Sequence, residues 1–183
     1  REGLQWSDGT PMTSADVVFT WTYCIAEGGG CALREKFDGI TAIDTPDART
    51  IVIRFDAPRP NPHVAFVGAQ SPILQEAQFK DCLGPRAPTC TNANFNPIGT
   101  GPFVVAEREQ GVRVVFERNP NYWDTESPGN VQTAILTPIK ESPTRVAAIL
   151  SGDVDFIAPV PPTDLERIEA DPNVDLVTMT GTR

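Results

Sequence analysis

Apolar residues in the first thirty positions repeat with the spacing of an α-helix. Four of them are predicted to share one face: Val17, Val18, Trp21 and Ile25. Thr13 precedes this run as a candidate N-cap, and Asp16 places a carboxylate in the first turn. We therefore expect a helix that begins after Thr13 and stops before the glycines at 28–30.

Further along, apolar and polar residues alternate in a way that predicts two β-hairpins. The first joins residues 40–43 to a half-buried strand at 51–55 through a turn at 45–48, where proline and aspartate take positions that they favour. The second runs over 103–118 and turns at Gln110-Gly111. Between the hairpins, the sequence predicts two less regular segments: a short helix at 64–67 and a loop over 81–97.

From residue 131 the apolar pattern alternates between strand and helix periods. Five elements are predicted in the order strand, helix, strand, helix, strand: residues 131–139, a helix that Ser142-Pro143 opens and Gly152 ends, 154–157, a helix from Pro162, and 174–177. That order is typical of an α/β sheet with right-handed crossovers. We place a boundary near residue 96, between a small hairpin-and-loop subdomain over 1–95 and part of an α/β domain over 96–183.

Composition narrows the classes of partner. The 183 residues carry a formal net charge of −9, and 40% of them are hydrophobic. An acidic chain repels phosphate backbones and anionic lipid surfaces, so we expect neither nucleic-acid binding nor docking on a membrane surface. No run approaches the 18 apolar residues of a membrane-spanning helix.

Four cysteines form two closely spaced pairs. Cys24 and Cys31 bracket a glycine-rich loop, and Cys82 and Cys90 bracket a loop rich in glycine and proline. Four cysteines allow three connectivities, of which we favour local pairing; the competing interpretation is a metal site. Each short disulfide would stabilise the fold by roughly 2–3 kcal/mol in the chain-entropy model. Disulfides in turn imply an oxidising compartment.

The sequence offers no catalytic constellation. His63 is the single histidine, so a Ser-His-Asp set has no basis. Gly99-Thr100-Gly101-Pro102 lacks the third glycine and the following helix of a phosphate loop, and we interpret it as a chain reversal. Arg145 is expected to pair with a nearby carboxylate such as Glu141. We therefore expect no enzyme activity, no metal and no cofactor.

Three phrases in fixed order carry a family resemblance: WSDGTPMTSADVVF at 6–19, PIGTGPF at 97–103 and ERNPNYW at 117–123. Each consists of turn, cap and packing residues, and we expect the tryptophans and Tyr122 to anchor loops to the core. In this order the phrases resemble the extracellular solute-binding proteins of ABC importers, family 5. That class takes up peptides, nickel and some oligosaccharides.

The resemblance implies a fold, a function and a location. The fold would be the type II periplasmic-binding-protein class, here as the small subdomain and part of the α/β domain of lobe one. Family members are usually longer, so the resemblance implies a fragment without the second lobe, cut from a full-length protein with a signal peptide. The function would be capture of a small solute, expected to be a peptide, for an ABC permease. The location would be the periplasm or cell envelope, and the full-length protein would be a monomer.

The resemblance also suggests where a ligand would lie. The segment at 66–74 falls where family members have a loop facing the cleft, which makes Phe66, Gln70 and Ser71 the candidate ligand-binding residues. The loop at 25–37 is a further candidate on the same side. A nickel complex or an oligosaccharide remains an alternative ligand. An exported hydrolase and a signalling or interaction protein that reuses the binding fold remain alternative functions.

Overall fold

The computed structural model describes residues 1–68, 71–127 and 129–179. The chain divides into two compact units, one formed by residues 1–110 with 114–136 and the other by 111–113 with the residues from 137 onward. The boundary predicted near residue 96 separates two subdomains of one lobe. It stays a prediction.

The first helix, α1, spans Ser14–Ile25 and starts with the predicted cap. The Thr13 side chain accepts a hydrogen bond from the Ala15 amide at 3.3 Å, and the Asp16 carboxylate accepts one from the Thr13 amide at 2.9 Å. This reciprocal pair is a capping box, which satisfies amide groups that have no partner within the helix.

The apolar residues predicted to share one face of α1 are not its buried residues, although Trp21 packs against the edge of the core. The residues that face the core are Asp16, Phe19, Thr20, Tyr23 and Cys24, whereas Val17, Val18 and Trp21 are half-buried and Ile25 is exposed. The reason is that two polar side chains on the inner face bind distant backbone. Thr20 Oγ1 accepts from the Leu74 amide at 2.8 Å, and Asp16 Oδ1 accepts from the Glu76 amide at 3.0 Å. A hydrophobic periodicity does not register such polar contacts.

Two small sheets follow from the predicted hairpins. Strands β1 (Ile40–Asp47) and β2 (Thr50–Phe55) pair antiparallel, with Ile43 opposite Ile53. The chain reverses at residues 48–49, so the turn predicted at 45–48 is placed too early. Here the Asp47 carboxylate accepts the Arg49 amide at 2.8 Å.

The second sheet has the order β3-β4-β5, with β3 at Phe103–Glu109, β4 at Arg113–Arg118 and β5 at Thr133–Leu136. Its first two strands are the predicted second hairpin. Strand β5 lies antiparallel to β4 and is shorter than the predicted strand at 131–139.

The segment predicted as a loop at 81–97 contains short helical turns. Helix α2, at Glu76–Phe79, precedes this segment, in which a 3-10 helix covers Gly84–Thr89 and α3 covers Thr91–Phe95. The predicted stretch at 64–67 is a 3-10 turn at Val64–Phe66. The structure joins Cys24 to Cys31 and Cys82 to Cys90, with Cα–Cα distances of 4.9 and 5.8 Å, which is the local pairing favoured from the spacing.

The core of the first unit lies where these segments meet α1 and β1. Its buried members are Phe19, Tyr23, Cys24, Phe37, Ile40, Ala65, Phe79, Cys82, Ala87 and Ala93. Tyr23 links the helix to α2, because its ring packs edge-on against Phe79 at 6.0 Å. Burial raises the pKa of the Tyr23 hydroxyl above its ordinary value. Each disulfide joins one buried cysteine of this core, Cys24 or Cys82, to a half-buried cysteine that packs against it.

The second unit contains helix α4 (Ser142–Ser151) and helix α5 (Leu165–Glu169), which a 3-10 turn at Pro162–Asp164 precedes. Gly152 ends α4 with φ +77°, as predicted from the sequence. The strands predicted at 154–157 and 174–177 are absent from the described residues, which extend to 179. A strand forms only when a neighbour accepts its hydrogen bonds, and alternating apolar residues do not supply that neighbour.

Candidate functional site

The three sequence phrases meet in space and are joined by hydrogen bonds. The Ser7 amide donates to the Gly99 carbonyl at 2.9 Å, which connects the first phrase to the second. The Asn121 side-chain amide donates to the Ser7 carbonyl at 3.1 Å, and the Asn119 side chain donates to the Gly101 carbonyl at 2.8 Å. Asn119 is 2% exposed, so this amide is committed to the backbone. We call this arrangement the motif junction.

A second set of polar contacts lies beside the motif junction. The Gln75 side chain is 2% exposed and donates to Asp8 Oδ2 at 2.8 Å and to Thr10 Oγ1 at 2.9 Å. Burial alone would raise the pKa of Asp8, but the hydrogen bonds from Thr10 and Gln75 outweigh it, and the pKa lies below its ordinary value. The sequence pattern did not identify Gln75, because nothing in the local sequence marks a contact 67 positions away.

The glycine phrase serves as an acceptor of hydrogen bonds rather than as an anion site. The carbonyls of Gly99 and Gly101 accept from Ser7 and Asn119, and the Ile98 amide donates to the Gln78 side chain at 2.9 Å. A phosphate loop instead presents a row of amides to its ligand. The interpretation of this phrase as a chain reversal agrees with its contacts.

The aromatic residues of the phrases differ in burial. Trp6 is 2% exposed, and its indole N–H donates to Asp16 Oδ2 at 3.4 Å, so it anchors the first phrase as expected. Trp123 lies at the surface, where the Arg1 guanidinium sits 3.7 Å from its ring centroid. Tyr122 packs against Trp123 with ring centroids 5.2 Å apart. The two aromatics of the third phrase therefore form a surface cluster rather than a core anchor.

The predicted ligand residues have distinct environments. Phe66 is half-buried and packs edge-on against Phe37, with ring centroids 5.3 Å apart. Ser71 is 8% exposed, and its hydroxyl is buried without a hydrogen-bond partner among the described residues. Gln70 lies outside the described residues. The ligand role of Phe66, Gln70 and Ser71 stays a prediction.

Two open clefts occur in the first unit, and neither is lined by Phe66 or Ser71. One, of about 320 Å³, lies between the 3-10 turn at Arg34–Phe37 and the proline-rich segment at 59–62, and Lys36 and Asp38 line it. The other, of about 390 Å³, is mainly apolar and is lined by Phe103 and Tyr122. Their walls carry no catalytic arrangement of side chains.

Arg145 does not form the ion pair expected with Glu141. Its guanidinium donates to the Ile139 and Lys140 carbonyls and to Ser142 Oγ, each at 2.9 Å. These bonds tie the segment before α4 to the first turn of the helix, because a guanidinium can serve several acceptors at once. Arg145 is thus a structural residue of the second unit.

Metal-ligand clusters and membrane-spanning helices are both absent from the part of the chain that the structure describes. No group of three or more histidine, cysteine, aspartate or glutamate side chains there could hold a metal ion. The helices in those residues are all too short or too polar to cross a bilayer.

Comparison with protein families gives a match over the whole chain. The family model described as bacterial extracellular solute-binding proteins, family 5 (middle), matches residues 1–183. Among curated proteins, the peptidoglycan-binding protein YepA of Agrobacterium fabrum is 27% identical over 158 residues, which cover 83% of this chain and 25% of YepA.

Solved structures give the same result at the level of the fold. The binding protein AgaA of A. tumefaciens R10, in complex with agropinic acid, has a TM-score of 0.80 and 27% identity, covering 92% of this chain and 33% of AgaA. The oligopeptide-binding protein AppA of Bacillus subtilis, in complex with a nonapeptide, has a TM-score of 0.77 and 22% identity, covering 94% of this chain and 34% of AppA. The chain spans about a quarter to a third of the length of these proteins.

Proposed function

Because the chain belongs to the bacterial extracellular solute-binding proteins of family 5, we propose that the intact protein captures a peptide and delivers it to an ABC permease. Members of this family bind solutes and catalyse no reaction on them, and the fold is that of type II periplasmic binding proteins. The proposed parts are the identity of the solute, a peptide, and the identity of the partner, an ABC permease.

The match of the family over all 183 residues is the observation that carries the proposal. The choice of peptide is supported by relatives: AppA is solved with a nonapeptide, and YepA is named for peptidoglycan, whose stems are peptides. AgaA binds agropinic acid, which makes an amino-acid conjugate the second candidate. Within the first unit, the motif junction commits its side-chain amides to backbone contacts, so we assign it a structural role and not a ligand-binding one.

The proposed mechanism is closure of two lobes on the solute outside the cell membrane. A closed state makes contacts with the solute that an open state lacks, so binding shifts the equilibrium towards closure. The closed, loaded form is then the one presented to the permease. We expect the intact protein to work in the periplasm or at the cell envelope, in line with the extracellular character of the family and with the two disulfides.

The test is isothermal calorimetry of the intact protein against four ligand panels: tri- to nonapeptides, agropinic acid and related conjugates, nickel–histidine complexes, and oligosaccharides. Micromolar or tighter binding of peptides alone, about −8 kcal/mol or better, is the expected result. If only the ligands of another panel bind, that class of ligand takes the place of peptides in the proposal. If no ligand of the four panels binds, the proposed transport function is overturned. Co-purification of the loaded protein with an ABC permease of the same organism tests the partner separately.

A further inference from the structure

The two disulfide loops lie side by side and touch through residues without long side chains. A Cβ placed on Gly28 would lie 3.2 Å from Pro85 Cγ, and one placed on Gly30 would lie 3.3 Å from Ala87 Cβ. In the other direction, a Cβ on Gly84 would lie 3.0 Å from the Glu27 carbonyl oxygen. The loop closed by Cys24–Cys31 and the loop closed by Cys82–Cys90 therefore share an interface with no room for a further methyl group.

The shared interface continues into the core on both sides. Cys24 and Cys82 are 6% and 4% exposed and belong to the buried apolar cluster, while Ala87 is 1% exposed. A Cβ on Gly30 would also lie 3.3 Å from the Tyr23 hydroxyl, which places the first loop against α1 as well as against the second loop. Each loop thus forms part of the wall against which the other packs.

Neither loop has a regular set of backbone hydrogen bonds across this interface. The backbone hydrogen bonds of the first loop are local, as for the Gly29 amide with the Ala26 carbonyl and the Ala26 amide with the Thr22 carbonyl, both at 3.1 Å. Those of the second loop also stay local, as for the Cys90 amide and the Ala87 carbonyl at 3.4 Å. The order of each loop therefore depends on its own disulfide and on close packing with its neighbour.

We propose that the two disulfide loops form one interlocked clasp, in which opening either loop releases the other. Each disulfide restricts the conformations of its own loop. Because the loops pack closely, this restriction also acts on the neighbouring loop, whose own disulfide does not by itself fix the residues at the contact surface. The stabilities of the two cross-links are then coupled rather than independent.

The experiment measures amide hydrogen exchange in the intact protein after one disulfide is removed. In the Cys82→Ala/Cys90→Ala variant, the amides of residues 28–31 are expected to exchange roughly tenfold faster, although their own disulfide is intact. In the Cys24→Ala/Cys31→Ala variant, the amides of Gly84, Arg86, Ala87, Thr89 and Cys90 are expected to respond in the same way. Unchanged exchange in the loop that keeps its disulfide would overturn the proposal.

A second variant covers the case in which a cysteine pair cannot be removed without loss of the fold. Ala87→Val keeps both disulfides and adds two methyl groups at the interface, and it should raise exchange at residues 28–31. Arg86→Ala, which truncates an exposed side chain on the same loop, is the matched control and should leave that exchange as in the wild type. Equal exchange in Ala87→Val and Arg86→Ala would also overturn the coupling.

Discussion

At the scale of single residues, the buried polar groups of this fold restrict which residues must be neighbours more strictly than its buried apolar groups do. Asp16 is 7% exposed, and its two oxygens accept hydrogen bonds from the Thr13 amide, the Trp6 indole and the Glu76 amide. This one carboxylate thus caps α1, accepts a hydrogen bond from the indole of Trp6, and accepts another from a backbone amide 60 positions away. An apolar residue of the same size would leave these donors without partners.

We expect Asp16→Ala to lower the free energy of unfolding by about 2–4 kcal/mol, because it removes a cap and leaves buried donors unsatisfied. Thr13→Ala is the comparison, since it loses the cap alone and should cost about 1 kcal/mol. Urea denaturation of the intact protein, followed by exchange of the α1 amides, measures both. Equal losses in the two variants would contradict the structural role given to Asp16.

From the lowered pKa of the Asp8 carboxylate we expect the stability of the protein to depend on pH. Its pKa in the folded protein lies below the ordinary aspartate value of 3.8, so its stabilising effect is fully present above that value and is lost as the pH falls through the lower folded pKa. Asp8→Asn should therefore flatten the fall in melting temperature between about pH 4 and pH 2. Gln75→Leu, which removes one donor to the carboxylate, should give a smaller change in the same direction. Parallel melting curves for wild type and Asp8→Asn would contradict this assignment.

At the scale of elements, Gly152 shows how a single backbone angle ends a helix. Its φ of +77° is one that residues with a side chain rarely adopt, and its amide donates to the Ala148 and Ile149 carbonyls at the end of α4. No atom lies within 4 Å of the position that a Cβ would take. The requirement for glycine is therefore conformational and not steric.

Gly152→Ala is expected to destabilise the protein by about 1 kcal/mol, because alanine is strained at positive φ. Gly101→Ala is a matched control, since that glycine also has open space around it but no positive φ, and it should stay within about 0.5 kcal/mol of the wild type. Denaturant midpoints of the two variants measure the difference. Equal denaturation midpoints for the two variants would show that the positive φ at residue 152 does not make alanine destabilising there.

Elements set by short-range chemistry were predicted well from the sequence. The Thr13 cap, the disulfide pairing, the second hairpin and the Gly152 stop each depend on residues close together in the sequence, and the widest of them, the hairpin, runs from Phe103 to Arg118. The inner face of α1 was wrong because it is decided by Leu74 and Glu76, 54 and 60 positions away. Contacts through Gln75 and Gln78 were missed for the same reason.

At the scale of the whole molecule, the family phrases act as scaffold, while the ligand residues remain a prediction. The phrases meet in the motif junction and bind one another's backbone. Phe66, by contrast, is half-buried at the end of a 3-10 turn, and its ring lies nearly perpendicular to that of Phe37. The residues that identify the family and those expected to touch the solute are thus different sets.

If Phe66 contacts the solute, Phe66→Leu should weaken peptide binding by roughly tenfold, since an aromatic contact is lost while apolar volume is largely kept. Phe95→Leu is the matched control, because Phe95 is 40% exposed in the same unit and packs under Arg108. Calorimetric titration of both variants of the intact protein checks the prediction, with melting temperature as a control for folding. Similar affinities in the two variants would remove Phe66 from the site.

The motif junction also constrains the order of events during biosynthesis. The Asn121 side chain meets the Ser7 carbonyl 114 positions earlier, so the junction cannot form until the chain has been made past Asn121. Closing so long a loop has an entropic cost that only the completed contacts offset, and folds dominated by such contacts form slowly. Until then the first phrase lacks its partners in the second and third phrases, and only contacts with residues made earlier, such as that between Asp8 and Gln75, are available to hold it in place.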